Sequence, residues 1–269
     1  NSIAPDFKVM LFPHTAGDVL PTTVWNANHD MLSVNIGTEN HTIAFEAHEN
    51  ARTDIRILDN MPHHKLQIKA FLSAAYDASA QKMATNFRTS NALPLTQPYG
   101  VAPWNYAGNE NVSSANGFPL ETVDWVLVEL RDANNPNIVV EQKAALLQAD
   151  GSLVDAKFLT NDLHFYNLTA NQNYIAVLRH RNHIDIMASN AISANAMMMY
   201  DFTQVNNVVG GTSQLQEVES GVYGLLTADF DGNGIITVAD FNAYLQQQGS
   251  TNEYLRSDAN FDKAVNNLD

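Results

Sequence analysis

Two acidic loops near the C-terminus carry the residue types and spacing for metal chemistry. The first runs Asp229-Phe-Asp231-Gly-Asn233-Gly234-Ile235-Ile-Thr237-Val-Ala-Asp240. A calcium loop of the EF-hand kind takes oxygen ligands from positions 1, 3, 5, 7, 9 and 12, the seventh a main-chain carbonyl, and turns sharply at a Gly in position 6. Asp229, Asp231, Asn233, the Ile235 carbonyl, Thr237 and Asp240 fill those places, with Gly234 at the turn. The second loop, Asp258-Ala-Asn260-Phe-Asp262-Lys-Ala264-Val-Asn266-Asn-Leu-Asp269, repeats the spacing. Its candidate ligands are Asp258, Asn260, Asp262, the Ala264 carbonyl, Asn266 and Asp269, and Lys263 stands where Gly is expected.

Position 12 sets the kind of loop. A sensor EF-hand usually carries a bidentate Glu there, whereas both loops here end on Asp, with a helix expected between them at Phe241–Gln248. This arrangement resembles a type I dockerin, a family in which a duplicated calcium loop and helix folds a small module. The resemblance implies calcium as the cofactor and a module over residues 221–269. The sequence ends at Asp269, short of the second helix of a complete dockerin, which weighs toward a structural calcium site over cohesin binding.

Other constellations are read against their structural roles. Arg179-His180-Arg181-Asn182-His183 is the densest polar cluster in an apolar neighbourhood. On a strand its two His residues, three apart, point to opposite faces. The expectation is therefore a strand end that bonds neighbouring carbonyls and the Asp124 or Glu129 carboxylates. Tyr99, Trp104 and Tyr106 sit in a long Pro-, Gly- and Asn-rich loop from Pro94 to Pro119. They are the candidate ligand-binding residues for a glycan, stacked on as a platform, or else they pack the loop onto the sheet. No Gly-x-Ser-x-Gly elbow, His-Glu-x-x-His helix or phosphate loop is present, so no enzymatic activity is expected.

The elements that must position these groups read as strands. Met31–Ile36, His41–Ala47, Thr53–Leu58, Lys65–Phe71, Thr122–Arg131, Val139–Leu147, Leu163–Leu168 and Tyr174–Arg179 carry apolar runs or period-2 alternation between turn residues, as does Phe7–Phe12. Residues 13–30 read as irregular. The fold class expected is mainly β, a β-sandwich of immunoglobulin-like or jelly-roll-like kind over residues 65–204, preceded by a β-rich segment 1–64. Residues 205–220, rich in Asn, Gly, Ser and Gln, are expected as a linker to the calcium module.

Composition bounds the environment. The 269 residues contain no Cys and carry a net charge of −15. Nine Asp and Glu against two Lys and Arg from Glu217 to Asp269 place −7 of that charge in the last stretch. Such acidity argues against nucleic acid and anionic membranes as partners, and no apolar run approaches the roughly 20 residues of a membrane helix. The start at Asn1 suits a processed, mature product. Without disulfides, calcium or a large core must supply stability outside the cell.

Several motifs occur in order: Ala70-Phe-Leu-Ser-Ala-Ala-Tyr76, Leu95-Thr-Gln-Pro-Tyr99, Pro103-Trp-Asn-Tyr-Ala-Gly108, Val123-Asp-Trp-Val-Leu-Val-Glu-Leu-Arg-Asp132, Asp150-Gly151, Arg179-His-Arg-Asn-His183 and Tyr200-Asp-Phe-Thr203. Over residues 65–269 they resemble a module of secreted and cell-surface proteins of Bacteroidota-type bacteria, often followed by dockerin-like calcium repeats and a type IX secretion sorting domain. The resemblance implies export and no catalytic activity. The function expected is an exported structural or adhesive protein, a calcium-stabilised subunit of a surface layer or extracellular filament. Self-association would follow, with an N-terminal strand able to join subunits. The alternatives are a monomeric carbohydrate-binding or adhesion module and a scaffold-docking component.

Overall fold

A computed structural model describes residues 21–25, 31–36, 39–47, 53–59, 64–195 and 197–269. The strand expected at Phe7–Phe12 lies outside them. The chain is mainly β and divides into two compact units, Asn1–Pro62 and His63–Asp269.

The first unit is a four-stranded antiparallel meander of β1 (Thr22–Trp25), β2 (Met31–Ile36), β3 (Glu39–Ala47) and β4 (Thr53–Asp59). Register sets Leu32 opposite Trp25 and Ile43, and Leu32 and Val34 are buried on one face. β1 falls inside the stretch expected to be irregular. Its Thr-Thr-Val-Trp composition favours a strand, but four residues are too few to display a period.

The second unit begins with β5 (His64–Lys69), a short hairpin of β6 (Tyr76–Asp77) and β7 (Lys82–Met83), and a single-turn helix α1 (Asn86–Thr89). After the long loop come β8 (Thr122–Asp132), β9 (Asn135–Gln148), β10 (Leu153–Asp155), β11 (Leu163–Phe165), β12 (Asn173–Arg179), β13 (Ile186–Met187), β14 (Ile192–Ser193) and β15 (Met197–Asp201). A hairpin of β16 (Leu215–Glu219) and β17 (Val222–Leu225) leads to α2 (Val238–Gln247). The larger sheet runs β10-β9-β8-β12-β13, with β14 also on β12; the smaller runs β11-β5-β15, with β15 parallel to β5. Leu66 and Ile68 of β5, Phe165 of β11 and Met198 of β15 share one hydrophobic core with Trp125, Leu127 and Leu146 of the larger sheet.

β8 is the central strand, and its residues from Thr122 to Leu130 are all buried. That burial covers both faces, which suits the near-continuous apolar sequence and takes Asp124 and Glu129 inside with it. Buried carboxylates must find donors: Glu129 takes them from Arg131, Gln142 and Arg179, and Asp124 from Arg181, just past the end of β12, and Tyr254. Gly151 closes the β9–β10 turn at φ +86°, where an added Cβ would lie 2.8 Å from both the Ala70 carbonyl oxygen and a Phe71 ring carbon. Only Gly tolerates that combination.

Residues 205–220 are not a linker. They form two 3₁₀ turns and β16, bury Val208 and Leu215, and belong to the same compact unit as the sheets and the acidic loops. Polar composition concealed a segment held by two apolar anchors. Along β15 the burial alternates: Met198 is buried while Met197 and Met199 are exposed. Among the described residues no helix is long and apolar enough to cross a membrane.

Candidate metal centre

The first acidic loop is shaped by its own side chains. Asp229 Oδ1 accepts from Asn233 N at 3.0 Å and Oδ2 from Gly234 N at 2.8 Å. Asp231 Oδ1 accepts from Asn233 N, and Asn233 Oδ1 from Ile235 N. Asp240 reaches back to accept from Asp231 N at 3.1 Å and Thr237 N at 2.8 Å. That last bond, with Thr237 Oγ1 accepting from Ala239 N, forms a capping box that starts α2 at Val238. The helix thus begins three residues before the expected start at Phe241, since capping draws those positions into the helix. Carboxylate oxygens of Asp229, Asp231 and Asp240 all lie within 4.8 Å of one another, a grouping able to hold a metal ion.

The second loop repeats this hydrogen-bond ladder. Asp258 Oδ2 accepts from Lys263 N at 2.9 Å, Asn260 Oδ1 from Asp262 N at 2.8 Å, and Asp262 Oδ1 from Ala264 N at 2.8 Å. Asp269 accepts from Ala259 N and Asn266 N, both at 2.8 Å, and Asn266 Oδ1 accepts from Leu268 N. The backbones agree as well. Position 4 has φ +75° at Gly232 and +63° at Phe261; position 6 has φ +84° at Gly234 and +70° at Lys263. Lys263 therefore adopts the glycine conformation at a cost of about 1–2 kcal/mol.

The second loop differs in two ways: among the described residues its carboxylates do not form a group within 4.8 Å of one another as those of the first do, and one of its oxygens is orphaned. Asp258 is 1 % exposed, and its Oδ1 receives no hydrogen bond from any described residue. In an EF-hand-type loop the position-1 carboxylate gives one oxygen to the turn and the other to the ion; Asp258 Oδ2 serves the turn. An orphaned buried carboxylate oxygen is costly, and a divalent cation is the partner this donor set fits. Burial, then the Asp269 and Asp262 charges, pushes the Asp258 carboxyl up to about 6 against the pull of Arg181. Asp229 is likewise raised, first by burial and then by Asp240 and Asp231. Bound calcium would offset this crowding. Thr237 and Asn266 are turned toward capping; position 9 often ligates through water.

The loops are bolted to the sheets by residues that sequence reasoning only half found. Arg179 pairs with Glu129 at 2.7 Å and with Asp185. Arg181 Nε donates to Asp124 Oδ2 at 2.8 Å and its Nη1 to the Leu255 carbonyl. Its guanidinium lies 4.2, 5.1 and 5.3 Å from the ring centroids of Tyr254, Phe261 and Phe87. Asp124 also accepts from Tyr254 OH and contacts His180 Nε2 at 3.2 Å. Burial opposes its ionisation, but Arg181, His180 and Tyr254 prevail and bring it to about 2. Asn182 Nδ2 donates to the carbonyls of Arg256 and Asp258 at 2.8 and 2.9 Å. The strand-end expectation holds for the Arg179, His180 and Arg181 bonds to Glu129 and Asp124, but His180 and His183 do not point apart: β12 ends at Arg179 and the chain turns, so their Nδ1 atoms lie 3.1 Å from each other. Asn182, Tyr254 and Arg256 gave no periodic signal in sequence.

The aromatic platform does not exist. Tyr99 is fully buried with its OH on the Trp125 carbonyl. Tyr106 is 8 % exposed and donates to Glu110. Trp104 is half-buried, edge-on to Tyr99 and covered by the Arg256 guanidinium at 4.5 Å. Arg256 in turn donates to the Asp231 and Ala102 carbonyls. These rings pack the long loop against the sheet and against the first acidic loop, as large aromatic surfaces commonly do.

No family model matches this chain, and no curated protein or solved structure is found similar to it.

Proposed function

We propose that this protein is a calcium-stabilised, non-enzymatic structural protein, exported and used as a subunit of a surface layer or extracellular filament. The observation that carries the reading is the doubled loop, with its shared ladder of hydrogen bonds and the orphaned Asp258 Oδ1 in the second copy. It supports a dockerin-like calcium module in the C-terminal part, and two sheets about one core support a β-sandwich before it. Calcium then does in a chain without Cys what disulfides do elsewhere, because binding is coupled to folding. The densest polar constellation, around Asp124, is wholly buried and occupied by structural bonds, which suits a protein that bears load and performs no turnover. Self-association draws support from β15, an edge strand with Met197 and Met199 exposed, the kind of edge that accepts an added strand.

Light scattering and electron microscopy in calcium, then after chelation, test the reading. Ordered assemblies that dissolve on chelation are expected; a monomer in both conditions refutes the polymer.

A second reading is favoured by one surface. Phe241 and Leu245 of α2, with Ile236 and Val238, are 57, 47, 42 and 74 % exposed, beside a groove of about 440 Å³ lined by Phe230, Phe241 and Tyr244. Exposed apolar clusters of this kind mark protein-binding faces, so a scaffold-docking role stands next in order. Capture of a cohesin-like partner that is lost with Phe241→Ser would favour it.

A further inference from the structure

The two acidic loops share a backbone but not a setting. The second faces inward. Asp258, Ala259, Phe261 and Val265 are at most 1 % exposed. The Phe261 ring lies 5.4 Å from Phe87 and 5.8 Å from His180, both on the sheet-bearing part of the unit. The Phe261 carbonyl accepts from Asn86 Nδ2, and the Asp258 carbonyl from Asn182 Nδ2. Ser257 is also fully buried. The first loop buries Asp229 and Asp240 at its two ends but turns its middle outward. Ile235, Ile236 and Val238 are 64, 42 and 74 % exposed, and Gly234 has open space where a Cβ would stand. Its ties inward sit at its entrance: Ala228 N on the Asn182 carbonyl, Arg256 on the Asp231 carbonyl, the buried Phe230 ring and Trp104 against Gly232. Beyond it lies α2, whose Phe241 and Leu245 already face solvent.

Resting on the calcium reading above, we infer that the two sites divide the work: the second loop holds a structural ion and the first an exchangeable one. The loop that fits the motif less well in sequence is the one built into the core. Emptying the second loop leaves like charges crowded beside Asp258, which can separate only by breaking the Asn182 bonds and the ring packing around Arg181. Loss of that ion therefore loosens β8 and β12 through Asp124 and Arg181. Emptying the first loop relaxes Asp240, which caps α2, and the helix frays at its first turn with little buried surface lost. Exchange follows the same geometry. A loop whose middle is exposed opens by local motion, whereas one whose backbone is packed under Phe261 and Val265 and tied to Asn182 requires sub-global opening.

The experiment uses the full chain with calcium as the probe. Stopped-flow release into a chelator, with binding stoichiometry by calorimetry, is paired with hydrogen exchange of β8, β12 and α2. Two ions leaving in phases at least tenfold apart are expected for the unaltered protein. Asp229→Asn with Asp231→Asn should remove only the fast phase and raise exchange in α2 alone. Asp258→Asn with Asp262→Asn should remove the slow phase and raise exchange in β8 and β12 at least tenfold. If the second variant does not fold, the first variant and the unaltered chain still decide. Two ions released at one rate, or loss of the slow phase in the first variant, overturns the division while leaving calcium binding standing. No calcium bound at all overturns the calcium reading and this inference together.

Discussion

Replacing Arg181 by Met should destabilise the His63–Asp269 unit by about 4 kcal/mol. Arg181 is 2 % exposed and Asp124 fully buried, with Nε to Oδ2 at 2.8 Å. Removing one partner of a buried pair costs about 3–5 kcal/mol, because an uncompensated charge stays behind. Tyr254 OH and His180 remain on Asp124, which holds the loss below the upper end. Met keeps apolar volume between the Tyr254, Phe261 and Phe87 rings, so the cavity contribution is small. For a unit of this size about 2–4 °C of midpoint accompanies each kcal/mol, so the thermal midpoint should fall by about 8–16 °C. Urea unfolding followed by tryptophan fluorescence measures it. The double variant with Asp124→Asn should be the more stable of the two by about 2 kcal/mol, since the stranded charge is gone. A loss below about 1 kcal/mol in the single variant, or no recovery in the double, refutes Arg181 as the bolt.

The other expectations concern single positions. Burial raises the Asp155 carboxyl, but His164, Lys143 and the main-chain N–H groups of Lys157 and His164 outweigh it and bring it to about 2. A depressed acid stabilises above its unfolded value near 3.8 and loses that contribution as pH falls through its folded value. The stability gap between the unaltered chain and Asp155→Asn should thus be constant above pH 4 and shrink by about 2 kcal/mol toward pH 2; a gap independent of pH in urea titrations would count against the pairing. Lys263→Gly relieves φ +70° and should add about 0.5–1 kcal/mol by urea unfolding with calcium stoichiometry unchanged; a loss would mean the Lys263 side chain makes a stabilising contact. Gly232→Ala places a Cβ 2.8 Å from Trp104 Cζ2 at φ +75° and should lower the thermal midpoint by an amount equivalent to about 1–3 kcal/mol; no change would show that Trp104 yields freely.

What sequence revealed depended on length and on locality. β2 and β4 alternate over six and seven residues, enough for a period to stand out, and β8 shows as a near-continuous apolar run over eleven. β6, β7, β13 and β14 have two residues each, and no period exists in two. The acidic loops were legible because every ligand position lies within twelve residues and the side chains themselves make the turn. The joint was not, because Asn182 meets Arg256 across 74 residues and Asp124 meets Tyr254 across 130. Asp124 in a central strand announces that a cation must come to it. It does not announce that the cation will bring three rings of a distant loop along.

Lys263 shows why a motif score and a physical role can diverge. Gly is preferred at that position for its backbone, and a side chain there costs a fixed amount, about 1–2 kcal/mol, as does Phe261 two residues earlier at φ +63°. Phe261 is fully buried against Phe87, His180 and His183, and burying a Phe side chain stabilises by about 1.5–3 kcal/mol before any ion binds. The guanidinium of Arg181 over the same ring adds about 0.5–2 kcal/mol. Together these offset the strain of two left-handed side chains. An inner loop can therefore tolerate Phe and Lys where the outer loop requires Gly at both places, because Trp104 sits too close to Gly232 for a side chain and open space at Gly234 offers no packing to offset the strain. On this reasoning Phe261→Gly should relieve the strain and still destabilise, by about 1–2 kcal/mol in urea unfolding. A stabilised Phe261→Gly variant would show that packing was never what held the second loop in place.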